Sequence, residues 1–338
     1  MSETSSEIPP SELPPFLRRH EEGQPIKPRS VHVIINPAAG TEQPVLSVLN
    51  QVFKANDIDW ETFVTKDSGD ARRYARASAR AGADVVMACG GDGTVMEVAS
   101  GLRDTGVPLA ILPCGTANVM SLEMGISRDL TEAVTFVAEG RNQIRAVDMA
   151  ISDEHEFLLR VGIGTDAKMI NETPREAKNR WGNLAYVING LSQFTNPVTA
   201  RYRLTLDGQV YEEEGITLYV ANSANVGIPG VNLVPGADVS DGLLDVILIR
   251  PSNIPGLLAI ATNALLKREE EPEPILHWQA REILIEADPP QPVQVDGEEV
   301  PNTPFRARVL TKSVMVVCPI PPPAPGTAET GNGTAQDV

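Results

Sequence analysis

The sequence predicts an α/β domain followed by an all-β domain, and three observations predict it. From Val31 to Pro113, short apolar strand patterns alternate with helix patterns. Glycine-bearing loops begin where three of those strands stop, at "NPAAG" (Asn36–Gly40), "CGGDGT" (Cys89–Thr94) and "PCGTAN" (Pro113–Asn118). Beyond about residue 145 the pattern becomes a succession of short strands punctuated by Gly and Pro, as in a β-sandwich or a related antiparallel domain.

The elements follow in order. "VHVII" (Val31–Ile35) reads as a buried strand, Val45–Lys54 as a helix, Trp60–Val64 as a strand, Asp70–Ala81 as a helix and Asp84–Ala88 as a strand. A helix from Thr94 and the strand "PLAILP" (Pro108–Pro113) complete the alternation. Repeated strand-helix-strand units force parallel strands with helices on the faces, and ligands then sit outside the carboxyl ends of the strands. The three glycine loops are therefore expected on one rim. After residue 145 come the strand patterns "EFLLRVGI", "ARYRLTL", "EGITLYVAN", "LLDVILI", "REILIEA", "PVQVDG", "ARVL" and "VMVVC", interrupted by helix-like segments at Asn183–Phe194 and Ile254–Lys267. The expected division is a tail over 1–29, a nucleotide-binding α/β domain over 30–145, a β-sandwich over 146–318 whose last strand could return to the first domain, and a Pro/Gly/Thr-rich tail over 319–338.

Composition narrows the function. A net charge of −17 over 338 residues repels nucleic acid, and 4% aromatic residues leave little surface for stacking bases. No apolar run approaches the ~18 residues that span a bilayer, and the acidic, proline-broken start is unlike a signal peptide. Cys89, Cys114 and Cys318 are odd in number and lack zinc spacing, which fits a cytoplasmic compartment. His20, His32, His155 and His277 share no ligand spacing. No G-x-x-x-x-G-K-[ST] motif occurs, and "GIGTDA" (Gly162–Ala167) lacks the strand-helix-strand context of a dinucleotide fingerprint.

Glycines after a strand let peptide N–H groups approach an anion, and the next helix N-terminus adds donors and partial positive charge. Thr94 reads as the N-cap of that helix, with Glu97 completing a capping box. Asp92 in a phosphate loop calls for a divalent cation between the two anions. Taken alone, "GGDG" is equally compatible with a plain turn, "VDGE" (Val295–Glu298) reads as a hairpin turn, and "DGLLD" (Asp241–Asp245) as a turn leading into a strand.

In combination, "NPAAG", "GGDGTVMEVASGL" (Gly90–Leu102), "LPCGTANVM" (Leu112–Met120), "DGLLDVILI" (Asp241–Ile249) and "VDGEEV" (Val295–Val300) resemble the diacylglycerol kinase catalytic family of ATP-dependent lipid kinases, in the right order from about Val31 to Cys318. The resemblance implies a Rossmann-like α/β nucleotide domain of the NAD kinase and phosphofructokinase type, a C-terminal β-sandwich, and a cleft between them. It assigns Asn36, Gly40, Thr65, Gly90, Gly91, Gly93, Thr94, Gly115, Thr116 and Asn118 to ATP. Asp92 would lie near Mg²⁺, Asp296 would be the general base for a lipid hydroxyl, and Glu298 would support that base or the metal. Asp241, Leu244 and Asp245 would hold a structural Mg²⁺. It implies diacylglycerol as acceptor and phosphatidic acid as product, phospholipid metabolism, and a cytoplasmic protein that visits the membrane transiently; a homodimer stays open.

Two departures stand out. Val119 replaces an aspartate that many members carry, and the glycine cluster is thin at "SANVGIPGVNLVPGA" (Ser223–Ala237). NAD kinases share the GGDGT loop, but their later "TGSTAY"-like pattern is absent. A non-catalytic lipid or nucleotide sensor is the rival of another class. Ile254–Arg268 reads first as a helix packed on the sandwich, with a lipid-facing edge as the alternative.

Overall fold

The computed structural model describes residues 22–40, 43–153, 155–164, 199–223, 225, 234, 236–252 and 275–320. The α/β part runs β1 (Ser30–Ile35), α1 (Val45–Ala55), β2 (Asp59–Val64), α2 (Asp70–Ala81), β3 (Val85–Gly90), α3 (Asp92–Leu102), β4 (Leu109–Pro113), α4 (Val119–Glu123) and α5 (Leu130–Ala138). β3 and β4 are buried along their whole length, because in a parallel sheet with covered faces both sides of a central strand meet apolar neighbours. β2 is the edge strand and is mostly solvated. In α2 the small residues Ala71, Ala75, Ser78 and Ala79 recur at helical spacing and form the buried face. Gly82, at φ 88°, ends that helix in a left-handed cap. Gly101 of α3 lets the two helices touch, since a Cβ there would lie 2.4 Å from the Arg72 carbonyl oxygen.

The rest is strand: β5 (Asn142–Ser152), β6 (His155–Phe157), β7 (Arg160–Ile163), β8 (Ala200–Leu206), β9 (Gln209–Gly215), β10 (Thr217–Ala221), β11 (Leu244–Ile249), β12 (Leu276–Ala280), β13 (Glu282–Asp288), β14 (Val293–Val295), β15 (Glu298–Val300) and β16 (Phe305–Pro319). Two sheets result. One runs β2-β1-β3-β4-β16-β13-β8-β9, with β5 and β6 attached through β16; the other runs β12-β11-β10-β7-β14-β15. Their inner faces enclose a core that includes Phe157, Val161, Tyr202, Leu204, Leu218, Val246 and Phe305. β8 shows why: Ala200, Tyr202, Leu204 and Leu206 point inward while Arg201 and Arg203 face solvent. The fold is thus an α/β domain joined to a C-terminal β-sandwich.

β16 joins the two halves. Its first residues pair antiparallel with β13, and Val316 pairs parallel with Leu109 of β4, so one sheet continues from the sandwich into the α/β domain. "ARVL" and "VMVVC", read as two strands, are this single strand with a register shift between Leu310 and Val314.

Residues 22–29, read as part of a tail, instead lie along β5. Ile26 is buried, and the Asn142 amide both accepts from the Ile26 N–H and donates to its carbonyl, at 2.9 Å each. "EFLLRVGI", read as one strand, is broken at Leu158–Leu159 between β6 and β7. The helix-like segments Asn183–Phe194 and Ile254–Lys267, together with most of Ser223–Ala237, lie outside the described residues. Among the described residues no helix is long and apolar enough to cross a membrane.

Candidate active site

The three glycine loops meet. Gly40, at φ 74°, is so close to the third loop that a Cβ would fall 1.4 Å from the Cys114 carbonyl oxygen. A Cβ on Gly115 would fall 2.3 Å from Gly91 Cα, which brings the second and third loops into contact. Asn36 ties the first loop to the second: its peptide N–H donates to Cys89 O at 2.9 Å and its amide to Thr94 Oγ1 at 3.0 Å. Thr65 closes β2 onto the same end of β1, its N–H donating to Ile35 O at 2.9 Å. Asn118 sits in the left-handed region at φ 52°, which Asn tolerates better than most residues. Its side chain accepts from Gly115 N–H and donates to Gly115 O, so it pins the third loop and has both ends occupied. Thr116 is exposed at the tip of that loop.

The capping expectation for α3 is wrong. The helix starts at Asp92 with Gly91 as N-cap, and no side chain caps it. Thr94 is buried inside the first turn, where a Cβ on Gly90 would strike it at 2.5 Å. Glu97 reaches instead to the neighbouring helix, accepting from Ser68 Oγ and from the Gly69 and Ala71 N–H groups at the start of α2. The S/T-x-x-E spacing was met by chance; Glu97 caps a different helix. The α3 terminus is left open beside glycines, and a Cβ on Gly93 would meet nothing within 4 Å. An uncapped helix N-terminus lined by glycine suits a phosphate.

Asp92 is half-buried rather than solvent-facing. Burial raises its carboxyl above the usual range, opposed by the peptide N–H groups of Met120, Val119 and Asn118 and by the positive charge of Arg160. Much of its acceptor capacity therefore secures the start of α4.

"VDGE" is a hairpin turn and more. Val295 pairs with Glu298, leaving Asp296 (φ 43°) and Gly297 (φ 97°) as a two-residue turn with both φ positive. The Asp296 carboxylate turns inward to the break between β6 and β7, accepting from the N–H groups of Leu158 (2.9 Å), Leu159 (3.2 Å) and Arg160 (2.8 Å). Its own N–H donates to Arg160 O at 3.0 Å. Burial nevertheless outweighs these donors and pushes its pKa up to about 6. Arg160, absent from the sequence reading, supplies charge that bears on both Asp296 and Asp92. Glu298 is exposed at the start of β15.

The "DGLLD" carboxylates have other tasks. Asp245 is buried, and its Oδ1 faces His277 Nε2 at 2.6 Å and Gln279 Nε2 at 3.1 Å. Asp241 accepts from Leu243 N–H at 2.9 Å, and Leu244 lies within the β11 ladder. Among the described residues no group of three or more His, Cys, Asp or Glu is arranged to hold a metal ion. Both side-chain donors meet Asp245 Oδ1, so a cation shared by Asp241, the Leu244 carbonyl and Asp245 would have to take the other Asp245 oxygen. Asp148 instead fixes the turn, accepting from Gly242 and Lys312 N–H at 2.6 Å each.

Known proteins share this architecture. Residues 30–151 match the diacylglycerol kinase catalytic domain, and residues 160–318 match the YegS C-terminal NAD kinase beta sandwich-like domain. An uncharacterized protein of Synechocystis sp. is 30% identical over 315 residues, spanning 87% of this chain and 71% of the relative. The chain belongs to the diacylglycerol kinase catalytic family. The diacylglycerol kinase of Bacillus subtilis is 26% identical, with 86% of this chain and 97% of that one covered. A crystal structure of a diacylglycerol kinase from Bacillus anthracis superposes with a TM-score of 0.71 at 28% identity, covering 87% of this chain and 98% of that one. Membership of that family makes the chain a kinase.

Proposed function

We propose that the protein transfers the γ-phosphoryl group of ATP to the hydroxyl of a diacylglycerol, yielding phosphatidic acid, between the glycine rim and the Asp296 hairpin. What carries the reading is the open, glycine-lined α3 terminus together with a carboxylate whose pKa lies near 6 and which shares Arg160 with Asp92. The N–H groups at the start of α3 and around Gly91 orient the phosphates, beside the third loop that Asn118 pins. Thr65 and Asn36 shape the edge of the nucleotide site. Asp92 is the carboxylate suited to a divalent cation carried in with the nucleotide, which would neutralise phosphate charge there.

Asp296 accepts the hydroxyl proton. A carboxylate offers about four lone-pair directions and the peptide donors take three, so one remains for the acceptor hydroxyl. At neutral pH the group is ionised yet more basic than an ordinary carboxylate, which favours proton removal. Being half-buried in the sandwich, it presents the alcohol from the side opposite the nucleotide.

Labelled ATP offered in parallel with diacylglycerol, sphingosine, ceramide, phosphatidylglycerol and NAD tests this. Product from diacylglycerol in mixed micelles is the expected result. Label in NAD alone would reassign the enzyme, and ATP binding without transfer to any acceptor would favour a sensor.

A further inference from the structure

Loops 36–40, 90–94 and 113–118 contain no lysine or arginine. Under the function proposed above, on which this inference rests, they receive a triphosphate while Asp92 and Asp296 add two carboxylates nearby. A helix terminus offsets only about half a unit charge. Transfer of a phosphoryl group depends on neutralising charge, so a fixed cation facing this space is called for.

Arg160 is placed to be that cation. Its peptide unit is clasped by Asp296 on both sides, N–H to Oδ1 at 2.8 Å and carbonyl to the Asp296 N–H at 3.0 Å. Its guanidinium donates from Nη1 to Asn225 O at 2.7 Å, which orients the fork. Among the described residues, four of its five N–H donors are left over. Although its charge bears on Asp92 and on Asp296, it forms no ion pair with either; the ion pairs among the described residues involve other basic side chains. An arginine whose backbone is fixed by Asp296, whose fork is oriented by Asn225 and which is closed onto neither acid leaves room for a third anion.

We propose that Arg160 grips the terminal phosphate of the bound nucleotide and stabilises it through transfer. In that step a bond forms between the acceptor oxygen and the γ-phosphorus. The bond from the γ-phosphorus to the β,γ-bridging oxygen breaks, and its electron pair leaves with ADP. The hydroxyl proton passes to Asp296, and Arg160 keeps all of its own protons. Because Asp296 holds the peptide of the residue whose side chain holds the phosphate, base and cation are set at a fixed spacing by one hairpin.

The test compares wild type with Arg160→Lys and Arg160→Gln. Calorimetric titration with ATP and with ADP reads the contact without any acceptor: the preference of wild type for ATP over ADP should shrink toward unity in Arg160→Gln and survive in part in Arg160→Lys. With diacylglycerol, Arg160→Gln should lose about 10²–10³-fold in kcat, as for removal of one strong charge-stabilising donor. The acid limb of its pH profile should move upward, since the Arg160 charge lowers the Asp296 carboxyl and its loss lets that carboxyl rise. Should Arg160→Gln fail to give a cooperative melt, Arg160→Lys carries the comparison, because a point charge cannot replace the planar fork. An unchanged ATP to ADP ratio, or kcat within about 3-fold of wild type, would overturn the proposal. If wild type binds ATP but phosphorylates no lipid, the acceptor assignment fails while the nucleotide ratio still decides the role of Arg160. If it binds neither nucleotide, both fall.

Discussion

Gly93→Ala separates a phosphate cradle from a mere turn. Gly93 is the second residue of α3, exposed, with empty space where a Cβ would go. Its φ is not positive, so alanine fits without backbone strain. Replacing a helical glycine by alanine gains roughly 0.5–1 kcal/mol from the lower entropy of the unfolded chain. The same methyl group enters the space in front of the free N–H groups at the helix start. Phosphate oxygens must come within about 3 Å of those donors, so crowding should weaken ATP by at least ~10-fold, or about 1.4 kcal/mol. Urea unfolding measures the first quantity and titration calorimetry with ATP the second. The signature is opposite signs, a protein as stable as wild type or more so that binds ATP less well. Undiminished ATP affinity in the variant would refute the placement of phosphate at this terminus.

Three further outcomes are expected. Gly115→Ala puts a methyl 2.3 Å from Gly91 Cα, so the loops must part by more than 1 Å; urea melts should show a loss of ~1–3 kcal/mol, and calorimetry a loss of ATP binding. Glu97→Ala removes the acceptor for three donors at the start of α2 and should cost about 1–2 kcal/mol in a thermal or urea melt, leaving kcat per folded molecule unchanged. The pH profile of kcat/KM should have an acidic limb near pH 6, because Asp296 is raised and must be ionised to act as base; activity is full above that pH and lost as the carboxylate protonates below it.

Much of the fold was legible because period and punctuation agree with it. The apolar run before Cys89 reads as a buried strand and is one, and the alternation in Ala200–Leu206 reads as a half-buried strand and lines the sandwich core. The meeting of the loops could be expected from topology alone, since loops at strand carboxyl ends share a rim. Local spacing failed where a side chain serves a distant partner. Glu97 fits a capping box on α3 yet caps α2, and no signal in the chain distinguishes the two. Asp245 reads in the sequence as a hard-cation ligand, and only strand register shows that His277 and Gln279 also meet it. Nothing in the sequence marks Arg160, because "EFLLRVGI" reads as an unbroken strand, which would leave it an ordinary outward-facing side chain. The break at Leu158–Leu159 is created by Asp296, 137 residues from Leu159, and only the folded chain shows it.

The most direct measurement is single-turnover transfer from γ-labelled ATP to diacylglycerol in mixed micelles by wild type and Asp296→Asn, with ATP affinity measured on both. Labelled phosphatidic acid should form with wild type, and its rate should fall about 10²–10⁴-fold in Asp296→Asn, the usual worth of a general base, while ATP affinity stays close to that of wild type. Equal rates in the two proteins, or tight ATP binding by wild type with no label reaching the lipid, would contradict the assignment of this carboxylate and this rim to lipid phosphorylation.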